Sequence, residues 1–264
     1  MTAAQCCYSF TAAIVRAPSH SVVHGLRAAD HGNPDYHELL KQHDAYRDAL
    51  RSAGLETTVL PPLEDYPDSI FVEDVALVFS QGAILLRPGA ATRQGESEQI
   101  KATLNELFAT VLTIPPPGRV DGGDVLVLPE AVVIGLSGRT DRTGAAALAD
   151  CLAAFGLRSE IARTPPGGLH FKSECSLVDE ETVLVTRRLA SLTAFAKMRR
   201  LVVPEGEEPA ANVLRINHLL LASAGYPRTL DLLDQHGSTV VPLETSEIEK
   251  IDAGLTCMSL RWYR

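Results

Sequence analysis

Apolar residues along this chain come in pairs of short runs, each pair separated by a turn. Residues 74–79 are followed by Gln81-Gly82 and then by residues 83–86. Short apolar runs rich in β-branched residues and bounded by glycine, proline and polar residues predict two paired strands. The same pattern occurs three more times, at residues 124–128 with 131–135, residues 176–178 with 182–185, and residues 212–216 with 219–222.

Between most of these hairpins the apolar positions take the spacing of a helix. The first helix is predicted to begin at Asn33-Pro34-Asp35, with a capping side chain, a proline in the first turn and a carboxylate near the positive end of the dipole. It is predicted to end at Gly54. The residues on its buried face are Leu39, Tyr46, Leu50 and Ala53. Two further stretches contain Ile100, Leu104, Leu107 and Phe108, and Leu148, Cys151, Leu152 and Phe155.

Hairpin and helix together form a unit that repeats about every 40 to 50 residues, and a period of that length is typical of arrays and closed rings of modules. Five such units fill the chain. We therefore predict an α/β fold in which hairpin-plus-helix modules close into a ring. The alternative, one doubly wound parallel sheet, would need single strands between helices and a glycine-rich fingerprint, and neither is visible.

Length and composition add limits to this picture. The chain has 264 residues, 45% of them hydrophobic, and no composition break divides it, so we predict one catalytic domain over residues 1–264. The apolar runs are shorter than the roughly 20 residues of a membrane span. Residues 1–9 lack a basic region followed by an apolar one, so no secretory signal is expected. Five irregularly spaced cysteines favour a reducing cytoplasm over a disulfide framework or a metal site.

The net charge of −9 argues against nucleic acid and against an anionic membrane as partners, because both attract clustered lysine and arginine. A cationic or zwitterionic small molecule is compatible with it.

Cys257 is a candidate nucleophile. It follows the turn-forming residues Asp252-Ala253-Gly254, and a glycine-rich approach can present a thiol at the start of a strand, where neighbouring amides lower its pKa. The alternative interpretation is a buried structural cysteine.

His170 and Asp121 are candidates for the residues that would assist Cys257. His170 follows Gly167-Gly168, and a histidine there could protonate a leaving amine and then deprotonate water. Asp121 lies in the segment Asp121-Gly122-Gly123-Asp124, and one of the two carboxylates of this segment could orient a histidine as the third member of a catalytic set. Seven other histidines are present, and the acidic segment could equally be a hairpin entry.

Three acids gather near the first hairpin. Asp68, Glu73 and Asp74 lie in otherwise apolar sequence, where carboxylates are costly unless a cation matches them. A guanidinium fits, because it is always charged and accepts planar, bidentate pairing. A solvated strand end is the alternative.

Arg93 and Arg139 follow equivalent hairpins in two modules, and each precedes a helical stretch. They could hold the α-carboxylate of an amino-acid ligand. Each alone could also be a surface arginine.

Five motifs occur in a fixed order: Phe71-Val72-Glu73-Asp74, Arg87-Pro88-Gly89-Ala90, Asp121-Gly122-Gly123-Asp124, Leu169-His170-Phe171-Lys172-Ser173 and Leu255-Thr256-Cys257-Met258-Ser259. Their order and approximate spacing resemble the dimethylarginine dimethylaminohydrolase family, particularly its bacterial members, over nearly the full chain. That family belongs to the guanidine-modifying superfamily. The resemblance implies a five-bladed ββαβ propeller, the pentein fold, with the site on its central axis.

The resemblance also implies a role for each candidate. Cys257 would be the nucleophile, His170 the acid and base, and Asp121 its partner. The implied substrate contacts are Glu73 and Asp74 with the guanidinium nitrogens, Arg93 and Arg139 with the carboxylate, Asp68 and the Leu26 carbonyl with the α-amino group, and the main-chain carbonyl of Ile251. Residues 24–32 resemble the mobile lid of the family, with a looser match.

The implied reaction is hydrolysis of an Nω-methylated arginine to citrulline and an alkylamine through a thiouronium on the cysteine, with no metal or organic cofactor, by a monomer or a homodimer. An arginine or agmatine deiminase of the same superfamily is the nearest alternative, although those relatives typically have an Arg-Asp or similar pair in place of Glu73-Asp74. A noncatalytic arginine-binding domain would not need Cys257, His170 and Asp121 together. A cysteine amidase or peptidase of unrelated fold would place its nucleophile at the head of a helix.

Overall fold

The computed structural model describes residues 7–28 and 30–264, and its strands form five three-stranded sheets with one common arrangement. In each sheet two strands pair antiparallel, and the inner one of the two also pairs in parallel with a third strand. Sheet by sheet, the strands are β1 (Ala12–Arg16), β2 (Glu56–Leu60) and β15 (Leu260–Trp262); β3 (Ala76–Phe79), β4 (Gly82–Leu85) and β5 (Val111–Thr113); β6 (Val125–Val127), β7 (Val132–Leu136) and β8 (Ser159–Arg163); β9 (Cys175–Leu177), β10 (Thr182–Val185) and β11 (Arg199–Val202); and β12 (Leu214–Ile216), β13 (Leu219–Ser223) and β14 (Val240–Leu243).

Helices connect the inner strand to the third strand in four of the five modules. They are α1 (Tyr36–Ser52), α2 (Glu98–Leu107), α3 (Arg142–Ala154) and α4 (Pro227–Gln235), and a short helix, α5 (Ser246–Glu249), follows β14. In the fourth module the connection contains only a 3-10 turn, Thr193–Phe195, held by Phe195 packing against Phe171 in the core. None of the helices in the described part of the chain has the length and apolar character needed to cross a membrane.

The apolar core lies between adjacent modules. Consecutive side chains of β1 alternate: Ala12 and Ile14 pack toward the second sheet, while Ala13 and Val15 pack toward the fifth. Three further apolar clusters fill the remaining junctions. Because both faces of the inner strands are covered, these strands read as continuous apolar runs in the sequence.

The last strand closes the ring. β15 pairs antiparallel with β1, with Ala12 opposite Trp262 and Ile14 opposite Leu260. The first module is therefore built from both ends of the described chain. The predicted ring of five modules is confirmed, with a 3-10 turn in place of the helix in the fourth.

The entry to α1 differs in detail from the prediction. The N-cap is Asp35, whose Oδ1 accepts hydrogen bonds from the backbone N–H groups of His37 (2.9 Å) and Glu38 (3.0 Å). Asn33 and Pro34 lie before the helix. A cap must be followed directly by the first helical turn, and the tyrosine after Asp35 begins it.

A short 3-10 turn precedes the first strand of every hairpin. These turns are Val72–Val75, Gly122–Asp124, Phe171–Ser173, Glu208–Ala211 and Leu255–Met258. The first contacts the second and the last, and the third contacts the second and the fourth, so the turns gather around the axis of the ring. The candidate residues of four distant motifs are brought together in this way.

Candidate active site

Nine of the ten residues predicted for the site line one small cavity of about 40 Å³ at one end of the axis. They are Leu26, Asp68, Asp74, Arg93, Asp121, Arg139, His170, Ile251 and Cys257. Phe71, Leu169, Asp252 and Ala253 complete the lining. Glu73 is the predicted residue that does not line it.

Cys257 lies in the 3-10 turn Leu255–Met258, where its backbone N–H donates to the carbonyl of Gly254 (3.2 Å). Burial of the thiol, together with the negative charges of Glu73 and Asp74, raises the pKa of Cys257 to about 12. The thiol is therefore neutral near pH 7 in the absence of a ligand. A cation bound beside it would favour the thiolate.

His170 is held against Asp121. Its Nε2 lies 3.0 Å from Oδ2 of Asp121, and Oδ1 of that carboxylate accepts a hydrogen bond from the Gly89 N–H (2.7 Å). Burial opposes the charged imidazolium, but the carboxylates of Asp74, Asp121 and Asp124 outweigh it and raise the pKa of His170 to about 9. His170 is therefore protonated at neutral pH.

Glycine is required at position 123 for this arrangement. A Cβ on Gly123 would come within 2.6 Å of Nδ1 of His170 and 3.0 Å of Oδ1 of Asp74. The backbone N–H of Gly123 also donates to that Asp74 oxygen (2.8 Å). Gly123 thus allows the histidine ring and the carboxylate to approach the same backbone from one side.

Asp121 and Asp124, which the sequence alone left equivalent, have different surroundings. Asp124 is fully buried and accepts hydrogen bonds from the hydroxyls of Ser137 (2.6 Å) and Thr140 (2.7 Å) and from the Phe171 N–H (2.8 Å). Burial raises its pKa in spite of these bonds. Asp124 therefore fixes the turn beside the histidine, while Asp121 contacts the histidine ring.

Arg93 and Asp74 form a buried ion pair at the cavity wall. Nη1 of Arg93 lies 2.5 Å from Oδ2 of Asp74, and its Nε and Nη2 donate to both oxygens of Glu96 (2.8 and 2.7 Å). Nη2 also donates to the carbonyls of Asp68 (3.2 Å) and Phe71 (2.9 Å). Burial would raise the pKa of Asp74, but His170 and Arg93 lower it. Asp74 is an anion next to the thiol.

The segment that resembles a lid covers the cavity. The Leu26 N–H donates to Oδ1 of Asp68 (2.9 Å), and the Ala28 N–H donates to Asp252. Burial raises the pKa of Asp68 even though Arg93 lies nearby. Position 29, within this segment, lies outside the described residues. These two contacts tie residues 26 and 28 to Asp68 and Asp252, both of which line the cavity.

Glu73 points to the other side of the axis. Its carboxylate forms an ion pair with Lys172 and accepts hydrogen bonds from the Thr256 hydroxyl (3.0 Å) and from Arg261 (3.3 Å). These four residues line a second cavity of about 110 Å³. The predicted contact of Glu73 with a guanidinium stays a prediction, and Lys172 is a partner that the sequence pattern did not assign, although it lies in the same motif as His170.

Asp74, Asp121 and His170 offer three ligand atoms within 4.8 Å of one another, a grouping that could hold a metal ion. Each side chain already has a partner: Asp74 binds Arg93 and the Gly123 amide, and Asp121 binds His170 and the Gly89 amide. These contacts account for the grouping without a metal.

The family model for arginine deiminase matches residues 35–218 of the chain. The N(G),N(G)-dimethylarginine dimethylaminohydrolase of Pseudomonas aeruginosa is 38% identical over 250 residues, which cover 94% of this chain and 98% of the relative. The chain belongs to the dimethylarginine dimethylaminohydrolase family.

Solved structures of this family have the same fold. A cysteine-to-serine mutant of the Pseudomonas aeruginosa enzyme, complexed with citrulline, gives a TM-score of 0.93 at 37% identity over 96% of this chain and 100% of that chain. A dimethylarginine dimethylaminohydrolase in which glycine replaces a histidine, an adduct with S-methyl-L-thiocitrulline, gives 0.92 at 38% identity over 96% of this chain and 99% of that chain. The predicted propeller is confirmed, and the amidase or peptidase of unrelated fold is excluded.

Proposed function

We propose that this protein hydrolyses Nω-methylated arginine to citrulline and dimethylamine or methylamine. One observation carries the proposal: Cys257 shares a cavity with the His170–Asp121 pair and with the anion Asp74. The Pseudomonas aeruginosa relative is named for this reaction on dimethylarginine, and its solved complex contains citrulline, the expected product.

The charges around the cavity fit a substrate that has a cationic guanidinium at one end and an α-amino and an α-carboxylate group at the other. Asp74, which lines the cavity, supplies the negative charge for the guanidinium. Glu73, the second acid predicted to contact its nitrogens, is paired with Lys172 outside the cavity and would have to reorient for that contact. Asp68, with the Leu26 carbonyl, is proposed to receive the α-amino group. Arg139, with Arg93, is proposed to bind the carboxylate.

The first half of the reaction would begin when the guanidinium binds beside Cys257. Its positive charge offsets the neighbouring acids, so the thiol loses its proton to solvent and the sulfur attacks the central guanidinium carbon. His170 then gives its proton to the methylated nitrogen of the neutral tetrahedral adduct. The carbon–nitrogen bond breaks, the alkylamine leaves, and a cationic thiouronium remains on the sulfur.

The second half would use the same histidine as a base. With Nε2 engaged by Asp121, Nδ1 is the ring nitrogen left to take a proton from water. The water oxygen attacks the thiouronium carbon, and the new adduct collapses with cleavage of the carbon–sulfur bond. The hydroxyl proton passes to solvent, which leaves citrulline. Once the product has left, the thiolate takes a proton from solvent, and the neutral thiol and protonated His170 are restored.

The partner that this site favours is a small molecule. The net charge of −9 and the acidic axis are consistent with a cationic ligand and argue against nucleic acid or an anionic membrane. Whether the protein is a monomer or a homodimer, and its place in the cytoplasm, stay predictions.

Product analysis tests the proposal. The protein would be incubated separately with asymmetric dimethylarginine, monomethylarginine and arginine, and citrulline, alkylamine and ammonia would be measured independently. We expect citrulline and dimethylamine in equal amounts from asymmetric dimethylarginine. Faster release of ammonia from arginine would indicate a deiminase instead, and binding without any product would indicate an arginine-binding protein.

Replacing Cys257 with serine tests the nucleophile. Turnover should fall by several orders of magnitude while the fold is retained, because a hydroxyl is rarely ionised near neutral pH. Mass spectrometry of the quenched wild-type enzyme should detect a guanidine-derived adduct on Cys257. An adduct on Cys151 or Cys175 instead, or full activity of Cys257→Ser, would refute the mechanism.

A further inference from the structure

A closed ring of polar contacts lies directly beneath the nucleophile and links four of the five modules. Its members are Glu73, Lys172, Asn212 and Thr256. Glu73 pairs with Lys172 and accepts from the Thr256 hydroxyl, while the side chain of Asn212 joins Thr256 to Lys172. Glu73 and Asn212 both contact the turn with Cys257 and the turn after His170, and Asn212 is the one of the two that bonds the backbone of each turn.

Every hydrogen-bonding group of the Asn212 side chain is directed at one of these two turns. Its Nδ2 donates to the carbonyl of Lys172 (3.2 Å) and to Oγ1 of Thr256 (3.1 Å). Its Oδ1 accepts from the backbone N–H of Thr256 (3.0 Å). The side chain is buried, at 9% exposure, so these bonds have little competition from water.

The chain leading to Cys257 is also shaped around Asn212. A Cβ on Gly254 would come within 2.5 Å of Cγ and 2.6 Å of Oδ1 of Asn212. Gly254 therefore packs its backbone against the amide, and Thr256, two residues later, is hydrogen-bonded to the same amide. Together these contacts fix the course of the turn that carries the nucleophile, and with it the place of the sulfur.

We propose that Asn212 is a positioning residue that sets the geometry between Cys257 and His170. An effect of Asn212 on catalysis presupposes the proposed function; its effect on the position of Cys257 does not. Asn212 is not among the residues that line the Cys257 cavity, so it acts through Thr256 and Lys172 and touches no substrate. A displacement of about 1 Å between reacting groups can cost on the order of 100-fold in rate.

Asn217 provides a matched control within the same module. Its Nδ2 also donates to two oxygens, the carbonyls of Phe10 (3.0 Å) and Ala53 (2.7 Å), and its Oδ1 also accepts one backbone N–H, that of Phe10 (2.9 Å). Asn217→Asp and Asn212→Asp therefore remove the same set of donors, one far from the cavity and one beneath it. Asn212→Ala removes the bonds without adding charge.

The test compares these variants by kcat, KM and the rate at which iodoacetamide alkylates Cys257 between pH 6 and 10. For Asn212→Asp and Asn212→Ala we expect kcat to fall about 10- to 100-fold with KM changed less than about threefold. We also expect their alkylation profiles to differ from that of wild type. Asn217→Asp should match wild type in all three. Equal kcat for the two aspartate variants, or a wild-type kcat in Asn212→Ala, would overturn the proposal.

Thr256 offers a second route if the Asn212 variants do not fold. Thr256→Val removes the hydroxyl that joins Asn212 to Glu73, and Thr256→Ser retains it. We expect kcat to fall in the valine variant and to be restored in the serine variant, whereas equal rates would refute the role. Wild type is assayed in parallel: if it forms no citrulline, the proposed function fails, while the alkylation measurements still decide whether Asn212 positions Cys257.

Discussion

Arg93 and Arg139 occupy matching places in two neighbouring modules and line the same cavity, but their hydrogen bonds and ion pairs differ. Arg93 is 4% exposed, and its guanidinium binds two carboxylates and two carbonyls. Arg139 is partly exposed, and its guanidinium forms no hydrogen bond or ion pair with any residue in the described ranges. Most N–H groups of the Arg93 guanidinium are thus used in contacts within the protein, whereas those of the Arg139 guanidinium have no such contacts among the described residues.

The difference shows that an equivalent position in a repeat does not give an equivalent electrostatic role. Glu96 follows Arg93 by three residues and contributes both of its oxygens, whereas the residue three places after Arg139 is Arg142. Arg93 and Glu96 are joined by a turn in which Gly95 has a positive φ, and Arg139 lies in the bend before α3, which begins at Arg142. An acid close in the chain can pair with the arginine, and a second arginine cannot. The residue three places ahead is therefore the feature of the sequence that distinguishes the two arginines.

The largest expected effect comes from removing the buried cation. Arg93→Ala leaves Asp74 and Glu96 without their main counter-charge in a buried setting, so the free energy of unfolding should fall by about 3 to 5 kcal/mol. Urea denaturation followed by circular dichroism would measure it. Arg139→Ala is the control and should change stability by less than about 0.5 kcal/mol. Similar losses in both variants would contradict the comparison.

The sequence was sufficient for the fold because the modules bury both faces of their inner strands. The resulting apolar runs, such as the one that contains β4, are visible without any tertiary information. Cys257, His170 and Asp121 were predicted as a catalytic set from the resemblance of five ordered motifs; the structure brings the three into one cavity, and their roles stay predictions. The cap at Asp35 and the missing helix of the fourth module depend on local geometry that the periodicity does not determine.

The direction of the Glu73 side chain could not be predicted from the sequence, for a different reason. Its partner Lys172 lies about a hundred residues further along the chain, in another module. The two side chains meet because the five modules close into a ring. Asn212 and Thr256 are likewise far apart in the sequence and hydrogen-bonded in the fold. Long-range polar pairs leave no periodic signal, so a motif can identify a carboxylate as important without showing which side of the axis it faces.

Two buried histidines, His43 and His170, show the same contrast as Arg93 and Arg139: among the described residues, one lacks a carboxylate partner and the other has one. His43, on α1, is 2% exposed, and burial together with Arg47 lowers its pKa to about 4. His170 is 9% exposed, but its carboxylate neighbours raise the pKa to about 9. Burial beside an arginine therefore gives a neutral histidine at His43, and the carboxylates around His170 reverse the effect of burial there.

These opposite shifts predict opposite pH dependences of stability. The raised pKa of His170 stabilises the fold fully below its unfolded value near 6.5, and about 3 kcal/mol should be lost as pH rises from there through 9. The lowered pKa of His43 instead costs stability as pH falls from 6.5 toward 4, because the unfolded chain then binds the proton more readily.

Urea denaturation of wild type, His170→Gln and His43→Gln from pH 4 to 8.5 would separate the two contributions. His170→Gln should lose the decline on the alkaline side, and His43→Gln should lose part of the decline on the acid side. Staying at or below pH 8.5 limits the contribution of Cys257, whose buried thiol would also reduce stability above its unfolded pKa. Unchanged slopes in both variants would disprove the assignment.

The smallest expected effect is also the most selective one, and it concerns Arg139. If its free guanidinium binds the α-carboxylate, Arg139→Ala should reduce kcat/KM for asymmetric dimethylarginine by about 10- to 100-fold, since losing a charged hydrogen bond typically costs about 1.5 to 3 kcal/mol. A substrate that lacks the carboxylate, such as a dimethylated agmatine, should be affected less than threefold. Arg139→Lys should recover part of the loss by restoring a charge without the bidentate geometry. If Arg139→Ala reduces turnover of both substrates equally, the free arginine is not the carboxylate site, and Arg93, through the Nη1 hydrogen that its buried contacts leave over, becomes the residue to test.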